Sequence, residues 1–231
     1  MPTEGDIGHG IHRIPALGFS NAYLVEVDPN SLILIDTGTS SGGPKILAYL
    51  GKLGKSPETI SQIILTHADG DHSGSAAMLK RSTGAKLGIH ELDAPRISGE
   101  KKLKEASGAG GALLGLLTGL MKVERVKPDF LLKDGDTVGP LSVVYTPGHT
   151  DGSICLYKPN EALFVGDTIR VSGSGGLRLP AGYMSRDMSE LRKSVEKISK
   201  LEFSSLLPGH GEPIVENASQ KVGQFVANGF Q

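Results

Sequence analysis

Two kinds of hydrophobic pattern alternate along this chain: short runs with strand-like burial, and stretches whose apolar positions recur at helical spacing. Asn21–Val27 and Ser31–Asp36 are β-rich runs on either side of Asp28-Pro29-Asn30, which predicts a hairpin. Pro44–Leu53 places Ile46, Leu47 and Leu50 on one face, with Gly54 past its end, and predicts a helix. Ser61–Thr66 reads as a buried strand, Ser73–Arg81 as a helix, and Ala85–Ile89 as a strand that ends at His90. In the second half the strands are shorter: Leu131–Leu132, Leu141–Thr146, Ser153–Tyr157 and Ala162–Val165, separated by turn residues. Asp187–Leu201 carries Met188, Leu191, Val195 and Ile198 at helical spacing. Ser204–Leu207 is a further strand and Gln220–Asn228 a closing helix. Strands and helices in both halves predict an α/β chain: two sheets packed together with helices outside, in one domain over residues 1–231.

One stretch departs from this pattern. Ser107–Met121 (SGAGGALLGLLTGLM), inside an apolar insertion around residues 100–127, is rich in Gly and Leu and flanked by lysines. It is too short to span a membrane, which needs ~20 apolar residues. A helix buried on the core, an apolar lid, and a dimer or membrane-surface contact all fit it. Stable membrane insertion is not expected, and a homodimer is left open.

Composition narrows the function classes. A hydrophobic share of 38% and a charged share of 21% suit a soluble globular protein. The net charge of −1 supplies no field that would collect nucleic acid. Cys155 is alone, so no internal disulfide forms, and its apolar surroundings read as a buried small side chain. The start, MPTEGD, lacks a basic region followed by an apolar core, so a cytoplasmic protein is expected.

The chemistry concentrates at strand ends. Residues 66–72, Thr-His-Ala-Asp-Gly-Asp-His, set His67, Asp69, Asp71 and His72 close together directly after the apolar run Ile63-Ile64-Leu65. Imidazoles and carboxylates that close repel or desolvate one another unless paired, and a divalent cation removes that cost. A solvated Asp/His turn is the alternative for this segment alone. Three later strand ends repeat the arrangement of strand, Gly-containing turn and metal-type side chain: Thr146-Pro147-Gly148-His149, Gly166-Asp167 and Pro208-Gly209-His210-Gly211.

The ordered set H-x-D-x-D-H, G-H-T-D-G-S, G-D and P-G-H-G resembles the metallo-β-lactamase superfamily, from Asp36-Thr37-Gly38 through His210. The resemblance implies an αββα sandwich of two mixed sheets whose edge holds metal. By position, His67, Asp69 and His149 would hold one ion and Asp71, His72 and His210 a second. Asp167 would bridge them, and Asp36 would orient ligands from below. The implied cofactors are two divalent ions, zinc first. The implied reaction is hydrolysis of an ester, thioester, lactone or phosphoester by a metal-bridging hydroxide, with Asp71 moving protons.

Asp69 stands where the commonest form of the motif has histidine. The extra carboxylate makes the cluster less positive, weakens its Lewis acidity and admits the harder ions iron or manganese. A carboxylate there also occurs in flavodiiron members, so a di-iron redox protein is the rival reading, alongside a metal-binding domain without catalysis. Substrate residues are less sharply marked. Arg170, Arg178 and Tyr183 follow Asp167 on one loop, and with the apolar insertion they suggest a small-molecule substrate with an anionic head and an apolar body. His90 reads as a supporting residue rather than a ligand.

Overall fold

The computed structural model describes residues 4–15, 17–101 and 123–231, so the segment Ser107–Met121 lies outside the described residues. Strands β1 (Asp6–Gly8), β2 (Ile11–Arg13), β3 (Tyr23–Asp28), β4 (Ser31–Ile35), β5 (Ile60–Ile64), β6 (Lys86–His90) and β7 (Phe130–Leu132) stand side by side in chain order. β1 to β4 pair antiparallel and β4 to β7 parallel. The second sheet contains β8 (Thr137–Val138), β9 (Leu141–Tyr145), β10 (Ile154–Lys158), β11 (Asn160–Gly166) and β14 (Phe203–Pro208), in the order β14-β11-β10-β9-β8. Its pairs are antiparallel except β11 with β14. A separate ribbon joins β12 (Arg170–Val171) to β13 (Leu177–Arg178).

Among the described residues the α-helices are α1 (Gly42–Lys52), α2 (Gly70–Ser73), α3 (Ala76–Thr83), α4 (Ala94–Ile97), α5 (Met188–Ile198) and α6 (Ala218–Ala227). Successive side chains of a strand point to opposite faces, and here each face meets a different layer. In β4, Leu32 and Leu34 pack with Ile46, Leu50 and Leu79 of α1 and α3. Ile33 and Ile35 point the other way, to Val143, Leu156 and Phe164 of the second sheet. In β11, Phe164 lies between the sheets, while Leu163 and Val165 meet Val195, Val222 and Phe225 of α5 and α6. Strands buried on two faces read as continuous apolar runs, which explains Leu-Ile-Leu-Ile and Leu-Phe-Val. Each such side chain contributes about 1.5–3 kcal/mol by leaving water. The layers are helix, sheet, sheet, helix: the α/β sandwich expected.

Several boundaries differ for local reasons. Asp36 does not extend its strand, because its backbone turns left-handed at φ 59. The helix predicted over Ser73–Arg81 is two pieces, α2 and α3, because the Gly74 N–H donates to Gly38 O instead of continuing the first. Asp187 caps α5 rather than joining it, accepting from the Ser189 and Glu190 N–H groups. β1, β2 and the β12–β13 ribbon are too short to show a period, and sequence patterning misses them.

Candidate metal centre

Strand direction brings the predicted loops to one edge. β9 and β11 each run antiparallel to β10, and β14 runs parallel to β11, so the ends of β9, β11 and β14 emerge together. Those ends carry His149, Asp167 and His210. The end of β5 meets them from the other sheet, where Ile154 N–H donates to Thr66 O at 3.0 Å. Two sets of ligand-type atoms converge there, each within 4.8 Å: His67, His149 and Asp167; and Asp71, His72 and His210. Asp69 adjoins the first set, its Oδ2 lying 3.3 Å from His149 Nε2. Asp167 faces both sets. Its Oδ1 is 3.4 Å from the Nε2 atoms of His72 and His210, and its Oδ2 is 3.7 Å from His149 Nε2. All seven predicted ligands therefore meet at one edge, and all but Asp71 are buried.

The hydrogen bonds fix which nitrogens face inward. His210 Nδ1 donates to Phe19 O at 2.8 Å, and His72 Nδ1 donates to Asp36 Oδ2 at 2.8 Å. The Thr66 hydroxyl donates to Asp36 Oδ2 at 2.8 Å, and so accepts from His67 Nδ1 at 3.0 Å. Asp36 thus orients His72 directly and His67 through Thr66. The Nε2 lone pairs of His72 and His210 then confront each other at 3.4 Å, which requires a proton or a cation between them. With its Nδ1 bonded to Thr66, His67 turns Nε2 to the first set, where it is buried without a hydrogen-bond partner. Buried polar atoms in that state are rare and costly, so this donor set fits divalent metal.

The charge balance of the metal-free protein points the same way. Burial pushes His72 down, but Asp36, Asp71 and Asp167 outweigh it and hold a proton there well above the ordinary histidine range. Burial pushes Asp167 up, and His72, His149 and His210 more than reverse this, leaving it well below the carboxylate range. Asp71 behaves alike: burial raises it, and His72 and His210 bring it to about 2. His67 moves the other way, to about 3, through burial and the neighbouring His72 and His149. A proton on His72 occupies the place a cation would take, so metal binding would release it.

The remaining predicted residues lie to one side. Arg170 and Arg178 are direct cross-strand partners on the β12–β13 ribbon, which reaches the site where Val171 N–H donates to His210 O at 3.2 Å. Arg170 Nη1 approaches Met184 Sδ at 3.6 Å, and no ion pair joins either arginine to an acidic group among the described residues. Tyr183 is 53% exposed. Arg186 is ion-paired to Asp151 at 2.5 Å. His90 stacks on Tyr145 with ring centroids 4.5 Å apart, outside the two ligand sets.

Sequence patterning misses four supports. Asn21 clasps the His210 loop through Nδ2 to Pro208 O and Gly211 O, at 2.9 and 2.8 Å. Ser20 donates to Asp71 O, and Phe19, 67% exposed, packs edge-on against the His210 ring. Asp93, after β6, is wholly buried, and its position just past a strand end was the available signal.

A family model described as the metallo-beta-lactamase superfamily matches residues 15–210. The chain belongs to that superfamily. YobT of Bacillus subtilis is 32% identical over 222 residues, covering 92% of this chain and 91% of its own. A probable metallo-hydrolase of Methanocaldococcus jannaschii is 30% identical, covering 87% of this chain and 93% of its own. Among solved structures, TTHA1623 in a di-iron-bound form is 27% identical with a TM-score of 0.65, covering 90% of this chain and 92% of that one. The sandwich is the metallo-β-lactamase fold, and the superfamily is one of metal-binding hydrolases, for which the His/Asp sets are the candidate ligands. Among the described residues no helix is long and apolar enough to cross a membrane.

Proposed function

We propose that this chain is a cytoplasmic dinuclear metallo-hydrolase that cleaves an ester, thioester, lactone or phosphoester with an anionic head. The observation that carries the reading is Asp167, which turns one carboxylate oxygen to each histidine set. Bound divalent cations supply Lewis acidity and bring a coordinated water towards neutral pKa. His67, Asp69 and His149 would hold one ion, and Asp71, His72 and His210 the other.

Asp71 carries the proton. It is the most solvent-open carboxylate of the set, with its side chain 20% exposed against 9% for Asp69 and 4% for Asp167. His72 and His210 overcome its burial to keep it ionised at neutral pH. Its place at the open side of the site is the ground for assigning it the transfer of a proton from the attacking water to the leaving group. Arg170 and Arg178, opposite one another without an acidic partner among the described residues, supply the counter-charge for the head group. Tyr183 and Phe19 offer exposed aromatic surface for the rest of the substrate.

Zinc is the first choice of metal. Asp69 and the di-iron-bound relative favour iron as the second, and with it a redox reading. Metal quantification on the purified protein, paired with p-nitrophenyl acyl and phosphoryl esters, tests the proposal. Two equivalents of metal are expected in the wild type, and turnover that falls at least 100-fold in Asp71→Asn, which keeps an oxygen ligand but not the basic carboxylate. Full metal with no turnover on either ester class would refute hydrolysis, and iron with a visible absorption band would favour redox chemistry.

A further inference from the structure

A buried carboxylate outside the ligand sets joins the two loops that carry the first set. Asp93 follows β6 and has no solvent exposure. Its Oδ2 accepts from Ala68 N–H at 2.9 Å and from the Thr150 hydroxyl at 2.8 Å. Its Oδ1 accepts from Gly152 N–H at 3.2 Å and lies 3.7 Å from Arg96 Nε, the nearby positive charge. Ala68 stands between His67 and Asp69, and Thr150 follows His149. The two loops hang from different sheets, β5 in one and β9 in the other.

The surroundings are built around this carboxylate. A Cβ at Gly152 would come within 2.8 Å of Asp93 backbone and side-chain atoms, so only glycine lets the loop approach that closely. Ser73 holds the other side of the first loop, donating to Ala68 O at 2.9 Å and to Asp69 O at 3.1 Å. Ser153 holds the second, accepting from Thr150 N–H at 3.0 Å. Ala68 and Thr150 are thus each fixed from two directions, and among the described residues Asp93 is the one side chain seen bonded to both.

We propose that Asp93 is a positioning residue that sets the spacing of His67 and Asp69 against His149, and so controls metal affinity at the first set alone. It is the counterpart of Asp36, whose bonds go to Thr66 and His72. The inference rests on the reading that the first set holds a metal ion. An amide at position 93 keeps the shape but turns one acceptor into a donor, aimed at groups that already donate.

The full chain, stripped with a chelator, is titrated with cobalt(II), following bound metal and its visible absorption. His210→Ala identifies the spectral component of the first set, because it removes a ligand of the second. Wild type should bind two equivalents. Asp93→Asn should weaken the component that His210→Ala keeps by about 10–100-fold and leave the other within threefold. Thr150→Val removes one hydroxyl at the same junction and should weaken the same component about tenfold, which covers the case of a misfolded Asp93 variant. Two equivalents bound within threefold of wild type by both variants would overturn the proposal, as would loss confined to the other component. A wild type that binds no cobalt would instead overturn the metal-centre reading, and this proposal with it.

Discussion

Asp36 is the place where one atom group controls two candidate ligands. Its carboxylate accepts three bonds of 2.8 Å, from Thr66 N–H, the Thr66 hydroxyl and His72 Nδ1–H. Asp36, Thr66 and His72 are at most 2% exposed, so water does not replace a lost acceptor freely. Asp36→Ala strands three buried donors at roughly 1–3 kcal/mol each, part of which a water in the vacated space recovers, so about 3–5 kcal/mol of stability is expected to go. Asp36→Asn keeps the volume and one acceptor. It must either orphan Thr66 N–H or present its amide to His72, which then gives up its Nδ1 proton and keeps one on Nε2, the nitrogen facing the site. The expected loss is about 1–3 kcal/mol of stability in the metal-free protein and about 10–100-fold in zinc affinity. Urea unfolding of the stripped protein and competition with a chromophoric chelator measure the two. Nitrogen-15 imidazole shifts of the stripped protein report which nitrogens of His72 carry a proton. An Asp36→Ala variant within 1 kcal/mol of wild type, with unchanged zinc affinity, would refute the argument.

Two further outcomes are expected. Burial, with His72 and His149 adjacent, holds His67 at about 3 against 6.5, so the folded protein keeps that ring neutral while the unfolded chain takes up a proton below 6.5. The associated stability is therefore present above pH 6.5 and is lost as pH falls towards 3. Between pH 7 and 5 the metal-free protein should lose on the order of 2 kcal/mol more than His67→Asn, by urea unfolding, and equal losses would dismiss the assignment. At Gly209 a Cβ would meet His72 Cε1 at 2.5 Å and Asp167 Oδ1 at 2.7 Å, both held by their own contacts. Gly209→Ala should displace Asp167 or His72 and weaken metal binding at least tenfold with a folded circular dichroism spectrum; retention of wild-type affinity would show that the loop yields instead.

The candidate ligands were legible in the sequence because each follows a strand whose apolar run is unmistakable, and a turn with glycine or proline marks the projection point. The same strands revealed the sandwich, since Leu32 to Ile35 and Leu163 to Val165 are apolar on both faces. Asp93, Asn21 and Ser20 were not legible. Each is a single polar residue whose partners lie far along the chain, and only Asp93, just past a strand end, carries a local sign that sets it apart from a surface residue. The Arg170–Arg178 pairing stayed hidden because a two-residue strand has no period. Asp36 was read from the resemblance, while its left-handed backbone and the link through Thr66 appear only in three dimensions.

The first sheet contributes His67, Asp69, Asp71 and His72, and the second contributes His149, Asp167 and His210. Any sliding of one sheet over the other therefore registers as a change in ligand spacing. The interlayer side chains Ile33, Ile64, Phe164 and Leu207 set that alignment without touching a ligand position by chemistry of their own. The candidate centre is thus a gauge of how the two sheets are seated, and an ion held there would rivet them together. Metal affinity at this site is accordingly expected to depend on the apolar core as much as on the histidines.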